Sequence, residues 1–305
     1  MGEKMEEGSG WSTSSVGSGE VGGLMSSVGS CTGSCWEKEE ERGPETRGRR
    51  VMLVRSGETM DRTFPAVWAR LVGSGGGGRL CLDDVNLPRA LPRELCAGDP
   101  PVTRLGGLSG RLLGEELGRR RLARPGHTLL LASPTLRCAQ TAAALAAPLG
   151  LELGLEPGLC GQLPAFLQSP GGLEELGVRL DSGYRPRLSL GEVRQRQRSG
   201  QRPSDWAAPL WERLLRLDPA KDLLVVTDAR TAEAAAAELM GRPGGRDGRS
   251  LSPSLRFPPG SLCLLEQTTT TEAKDQPAFR HLPNLLPPFS FLHHSNRLNH
   301  PLFPN

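Results

Sequence analysis

Short apolar runs alternating with segments of helical spacing constrain this chain more than any other feature. Val51–Val54 (VMLV), Thr128–Ala132 (TLLLA), Leu151–Leu155, Leu223–Val226 and Gly260–Gln267 have the length of strands rather than helices. Continuous apolar runs of this length suit strands buried on both faces. Helical spacing marks Met60–Leu71, and Leu105–Leu122 places Leu105, Leu108, Leu112, Leu113 and Leu117 on one stripe. It recurs over Leu136–Ala147, which Pro148 should stop, and over the alanine-rich Thr231–Met240. Ser204–Leu217 carries the stripe Trp206, Leu210, Trp211 and Leu214, with Ser204 as the expected N-cap. Strands alternating with helices predict an α/β domain: three layers, αβα, around a mainly parallel sheet.

The chain has 305 residues, which allows one large domain or two small ones. Aromatics are 4%, so the core must be built from Leu, Val and Ala. Residues 1–48 are rich in Gly, Ser and Glu, bury too little to offset their ordering entropy and are expected to be disordered, leaving Trp11 and Trp36 without a core to join. The folded domain is expected over 49–286, with a tail at 287–305. Glycines at 73–78 read as a flexible loop, and the prolines of 81–102 and the composition of 160–203 argue against regular structure there.

A net charge of +3 gives no electrostatic case for nucleic acid or membrane. No apolar run is long enough to span a bilayer, and the polar, acidic start is unlike a secretory signal. Glu6 stands where a myristoylation pattern wants Ser or Thr. Seven scattered cysteines, with Cys31 and Cys35 far from any second Cys or His pair, read as reduced thiols rather than a metal site. The expected location is the cytoplasm, the nucleus being the alternative. Gly106–Gly110 lacks the spacing of a dinucleotide fingerprint, so no cofactor is implied. Arg119, Arg120, Arg121 and Arg124 read as a solvated helix end.

In an open parallel sheet, ligands sit beyond the carboxyl ends of the strands. Those ends read Arg55-Ser56-Gly57-Glu58-Thr59, then Ser133–Thr141 (SPTLRCAQT), then Glu156–Gly161 (EPGLCG), then Thr227-Asp228-Ala229-Arg230. With Tyr184-Arg185-Pro186 and Asn86-Leu87-Pro88, and in this order, these strings resemble the histidine phosphatase (phosphoglycerate mutase-like) superfamily. Within it they are most similar to the phosphatase domain of the ubiquitin-associated and SH3-domain-containing proteins, the suppressors of T-cell receptor signalling. The resemblance runs from about Arg50 to about Leu286 and has no counterpart for the ubiquitin-associated and SH3 modules.

The resemblance implies a phosphoryl site made of a nucleophilic His, clamping Arg side chains, a protonating acid and a second His. Arg55 and Arg137 fall on clamp positions and remain arginine. The nucleophilic His falls on Ser56, a further clamp Arg on Thr59, the acid on Gly161 and the second His on Asp228. None of His127, His281, His293, His294 and His300 lies where it could substitute, and a Ser56–Asp228 couple lacks an imidazole base. Cys138 and Cys160 lack the anion loop of a cysteine phosphatase and read as small buried side chains. Asp228 is expected to pair with Arg55 or Arg137 and close the site from within. The implied function is that of an inactive histidine-phosphatase-fold protein that binds a partner protein or a second copy of itself, in signalling. The alternatives are a residual phosphoesterase and a phosphoryl-ligand sensor that does not turn over.

Overall fold

The computed structural model describes residues 48–73, 98–161, 163, 179–201, 203–241, 257–268 and 279–282. The leading segment, most of the glycine run, the Asn86–Pro88 string and the tail after Leu282 lie outside the described residues. The described part belongs to one compact unit that begins at Gly48.

Six strands form one sheet: β1 (Arg50–Arg55), β2 (Thr128–Ala132), β3 (Leu153–Leu155), β4 (Asp222–Thr227), β5 (Leu262–Gln267) and β6 (Phe279–Leu282), in the order β3-β2-β4-β1-β5-β6. The pairs β1–β4, β2–β4 and β2–β3 are parallel, whereas β5 and then β6 add antiparallel to β1. The mainly parallel sheet expected from the apolar runs is therefore present. β6 is the additional edge strand that the sequence pattern did not delimit.

Alternation along the strands divides the core into two layers. Met52 and Val54 of β1 face one way, with Leu130, Leu224 and Val226. Val51 and Leu53 face the other, with Leu131, Leu223 and Val225. The first face is covered by α3 (Arg104–Arg119) and α4 (Leu136–Leu149), the second mainly by α6 (Pro203–Leu215) and α7 (Ala229–Leu239), with Val193 of α5 (Leu190–Arg198) at its margin. Trp206, Leu210, Trp211 and Leu214 are buried, as the stripe in α6 predicts. The architecture is the αβα sandwich.

Several local expectations are corrected. The helix read at Met60–Leu71 is two pieces, α1 (Met60–Thr63) and α2 (Pro65–Gly73), because Pro65 cannot donate into a continuous ladder. Pro148 sits inside the last turn of α4, which ends instead at Gly150 in the left-handed region (φ 63°). Ser204 lies within α6, whose range already includes Pro203. In 160–203, α5 begins with a capping box in which Ser189 accepts from the Glu192 amide and Glu192 accepts from the Ser189 amide.

The largest correction concerns α3. Its buried face is Gly106, Ser109, Gly110, Leu113, Gly114 and Leu117, while Leu108 is 47% and Leu112 37% exposed. Glycines four apart let α3 approach α4 closely: a Cβ on Gly110 would meet the Thr141 carbonyl at 3.1 Å, and one on Gly114 the Leu145 carbonyl at 2.3 Å. Close backbone approach, rather than a leucine stripe, is what this face buries.

Candidate functional site

The carboxyl ends of β1, β4 and β2 lie side by side, with β4 between the other two. They bring Arg55 and Ser56, Asp228, and the Ser133–Arg137 turn to one edge of the sheet. Thr227 Oγ1 donates to the Leu159 carbonyl (3.1 Å), so the Glu156–Gly161 loop is tied to the same edge. The backbone fixes the loop after β1 as well: the Ser56 amide donates to the Thr227 carbonyl (2.9 Å), and the Gly57 amide to Thr141 Oγ1 (3.0 Å).

Arg55 is buried and donates to the Phe257 carbonyl. Burial pushes its guanidinium down to about 9; Arg62 and Arg137 act in the same direction, and the Asp228 charge opposes them. Arg137 keeps part of its surface in water and forms an ion pair with Asp99 at 3.1 Å. For Arg137, burial lowers the value, and Cys138, Asp99 and Asp228 outweigh it, leaving the guanidinium above its ordinary value. Arg55, Arg137 and Asp228 thus act on one another through their charges.

Asp228 does not make the ion pair expected of it. Its carboxylate accepts from the Arg230 amide (2.9 Å), the Thr231 amide (3.1 Å) and Thr231 Oγ1 (3.0 Å). Among the described residues no ion pair joins it to Arg55 or Arg137. The physical reason is local. Three donors one turn away, at the positive end of α7, hold the carboxylate, so it serves as the N-cap.

Asp99 instead provides the anion for Arg137, and the sequence reading missed it. It accepts from the Leu136 amide at the start of α4 and from Arg137, and its side chain is buried. The following residues strap the site: the Met60 amide donates to the Pro101 carbonyl (3.0 Å), the Thr103 amide to the Glu58 carbonyl (2.8 Å), and the Val102 amide to Gln140 Oε1 (3.0 Å). Asp before Pro-Pro signals a turn, and that signal hid an acid placed at a helix start.

The other residues singled out in the sequence are dispersed in role. Ser56 is buried, and no hydrogen bond joins it to Asp228 among the described residues. Thr59 Oγ1 donates to Asp61, and Thr59 forms an isolated bridge with Val102. Gly161 is exposed in a bend, its carbonyl accepting from Gln197 Nε2 (3.2 Å). Cys138, Cys160 and Cys263 are buried; burial pushes Cys138 and Cys263 up to about 12. His127 lies just before β2, at the amino edge, and His281 is in β6. Among the described residues no group of three metal-ligating side chains forms, and no helix is long and apolar enough to cross a membrane.

The Asp99–Arg137 pair makes a signed prediction. Burial raises the Asp99 carboxyl, while the Leu136 amide and Arg137 pull it back. A carboxyl raised on folding binds more protons in the native than in the unfolded state, so its contribution falls as pH rises above the unfolded value. Arg137→Ala removes the opposing charge and raises Asp99 further. The variant should therefore lose about 1–3 kcal/mol near neutral pH and much less near pH ~4. Thermal melts at both pH values check this; an equal loss at each would show that Arg137 does not hold the Asp99 charge.

No family model matches the chain. An alignment 102 residues long, covering 31% of this chain, is 36% identical to ubiquitin-associated and SH3 domain-containing protein A of Mus musculus and spans 15% of that protein's length. Among solved structures, the ecdysone phosphate phosphatase, EPPase, of Bombix mori, determined in complex with tungstate, aligns with a TM-score of 0.54 at 21% identity. That alignment covers 79% of this chain and 94% of that one. At this identity the likeness establishes the fold.

Proposed function

From a chain that has the histidine-phosphatase fold and shares part of its sequence with a ubiquitin-associated and SH3 domain-containing protein, we propose a protein that has kept the scaffold, lost the chemistry and acts by binding other proteins. One observation carries this reading: the strand ends where a phosphoryl group would be attacked present Ser56, Thr59, Gly161 and Asp228. None of these is an imidazole or a positioned acid, and Asp228 is committed to the start of α7. A carboxylate on a helix cap is a poor base for an alcohol, and among the described residues no hydrogen bond joins Ser56 to it. The cysteines offer no replacement, since burial keeps the Cys138 thiol protonated. The partner is a protein, a second copy of the chain being one form of it, and signalling in the cytoplasm or nucleus is the setting that the likeness to a ubiquitin-associated and SH3 domain-containing protein suggests.

The test is release of inorganic phosphate from an aryl phosphate by the purified chain, beside Arg137→Ala as background. The two should be indistinguishable. Turnover that persists through purification and disappears in Arg137→Ala would overturn the proposal.

A second reading has its own support. Arg55 and Arg137 remain at one sheet edge, and the Bombix mori relative was solved with an oxyanion bound. A phosphoryl-ligand sensor would bind phosphate, vanadate or tungstate without turnover, and these ions would then raise the melting temperature by mass action. Asp228→Asn removes the nearby negative charge and should increase any such shift.

A further inference from the structure

The string Arg194-Gln195-Arg196-Gln197-Arg198-Ser199 forms the second half of α5 and its C-cap. Arginine at both the fifth and the third place before a serine or threonine occurs at Ser199 and nowhere else in the 305 residues. No acid stands between Val193 and Ser204. Ser199, Arg194 and Arg198 are exposed, and Arg196 is half-buried. Among the described residues none of these arginines has an ion pair, and Arg196 donates to Gln201 Oε1 (3.3 Å).

The helix hides this pattern. Residues two apart lie on opposite flanks of a helix, whereas in an extended chain they face the same way. α5 is held so that this end can open. Its nine residues are too few to sustain a helix alone. Its one buried side chain, Val193, and its capping box both belong to the first turn. The last turn buries no side chain and ends at Ser199, followed by Gly200 in the left-handed region (φ 77°). The bonds that close it lie at the surface: the Ser199 hydroxyl donates to the Arg196 carbonyl (2.8 Å), and so does the Gln201 amide (3.0 Å). Segments held in this way open locally at little cost.

We propose that Ser199 is a phosphoacceptor for an arginine-directed serine/threonine kinase, which takes Arg194–Ser199 as an extended strand once the last turn of α5 has opened. Two guanidinium groups on one side of an extended chain suit a groove lined with carboxylates, each planar fork taking two parallel hydrogen bonds. Ser199 Oγ attacks the γ-phosphorus of Mg-ATP. The new O–P bond forms as the bond to ADP breaks, and an aspartate of the kinase accepts the hydroxyl proton. The ester no longer donates to the Arg196 carbonyl, and a dianion at the negative end of a helix disfavours its last turn. Gln197 of that turn donates to the Gly161 carbonyl (3.2 Å), so the new charge acts beside the Glu156–Gly161 loop of the candidate site. Phosphorylation here does not depend on whether that site binds or turns over a phosphate.

The test is phosphate incorporation from Mg-ATP into the full chain by the catalytic domain of protein kinase B, an arginine-directed kinase, mapped by tandem mass spectrometry. A synthetic peptide of residues 190–204 is run beside it. The peptide reports whether the kinase reads the string, and the chain reports whether the fold presents it. Both should be labelled at Ser199. In the chain that label should run ahead of Ser182 and Ser252, which have arginine at the third place before them but not at the fifth. Arg194→Ala and Arg196→Ala should each lower kcat/KM at Ser199 by about tenfold. Neither side chain is fully buried, so both variants should melt with the parent. Arg111→Ala on α3 should leave the rate unchanged. A labelled peptide beside a chain unlabelled at Ser199, a rate indifferent to both α5 substitutions, or labelling of Ser182 or Ser252 ahead of Ser199 would each overturn the proposal. An unlabelled peptide overturns it too, since the string itself would then go unread.

Discussion

Glu156→Ala is expected to lower stability by about 3–5 kcal/mol, a large share of the net stability of an ordinary domain. Glu156 is fully buried. Its Oε1 accepts from the amides of Gly158 (3.0 Å) and Leu188 (3.1 Å), and its Oε2 from the Arg187 amide (2.6 Å) and the Tyr184 hydroxyl (2.8 Å). Burial, with the Glu156 charge beside it, pushes the Tyr184 phenol up, so the hydroxyl remains a donor. Truncation leaves three main-chain amides and a phenol without their acceptor, and each unmet donor costs about 1–3 kcal/mol before water enters. The carboxylate also joins the turn after β3 to the segment that leads into α5, so the loss spreads beyond one residue. At about 2–4 °C per kcal/mol for a domain of this size, the melting temperature should fall by roughly 10 °C. Glu156→Gln keeps one acceptor and should fall by less. Calorimetric melts of the three proteins check the order; a Glu156→Ala protein that melts with the parent would show that the four donors find other partners.

Gly114→Ala and Gly107→Ala should act in opposite directions although both lie in α3. Alanine in a helix interior is favoured over glycine by about 1 kcal/mol, so propensity alone predicts a gain at both sites. At Gly107 nothing lies within 4 Å of the new methyl, and that gain should appear. At Gly114 the methyl would stand 2.3 Å from the Leu145 carbonyl and 2.8 Å from Pro148 Cγ. The nearer atom is backbone of α4, which cannot turn aside as a flexible side chain would, so the helices must separate. Overpacking costs about 1–3 kcal/mol where side chains can adjust and more where they cannot, and here it outweighs propensity. Paired denaturant titrations should show the Gly107 variant at or above the parent and the Gly114 variant well below it. Equal midpoints would mean that α3 and α4 are looser than their glycine contact implies.

The same two helices show what the sequence conceals. An apolar run of four residues such as VMLV declares a central strand, because only burial on both faces uses such a run. β1, β2 and β4 were legible for that reason. α3 was legible as a helix but not in its orientation: a leucine stripe and a glycine stripe compete for the interior, and the glycines win by allowing backbone to approach backbone. Ser189 and Glu192 announced the start of α5 at capping-box spacing, in a region that composition alone marked as irregular.

At the candidate site, Arg55, Arg137 and Asp228 were placed at one edge by the strand-end rule. The partner of Arg137 was not, since Asp99 reaches it from a proline-rich stretch 38 residues earlier in the chain. Charges at a sheet edge can be placed from sequence. Which pairs form depends on helix starts and on loops that cross between layers. Asp228 illustrates this, its own helix supplying three donors before any arginine is reached.

The central claim is that four positions separate this scaffold from catalysis. Its most direct test is the rate of aryl phosphate hydrolysis by the parent chain divided into that of a variant carrying Ser56→His, Thr59→Arg, Gly161→Glu and Asp228→His. The substitution at Asp228 sacrifices a helix cap worth about 1 kcal/mol, which the domain should tolerate. The account predicts a parent indistinguishable from Arg137→Ala and a variant faster by at least about 1,000-fold, the scale on which a nucleophile and a general acid act. A ratio near one, with both proteins folded, would contradict it.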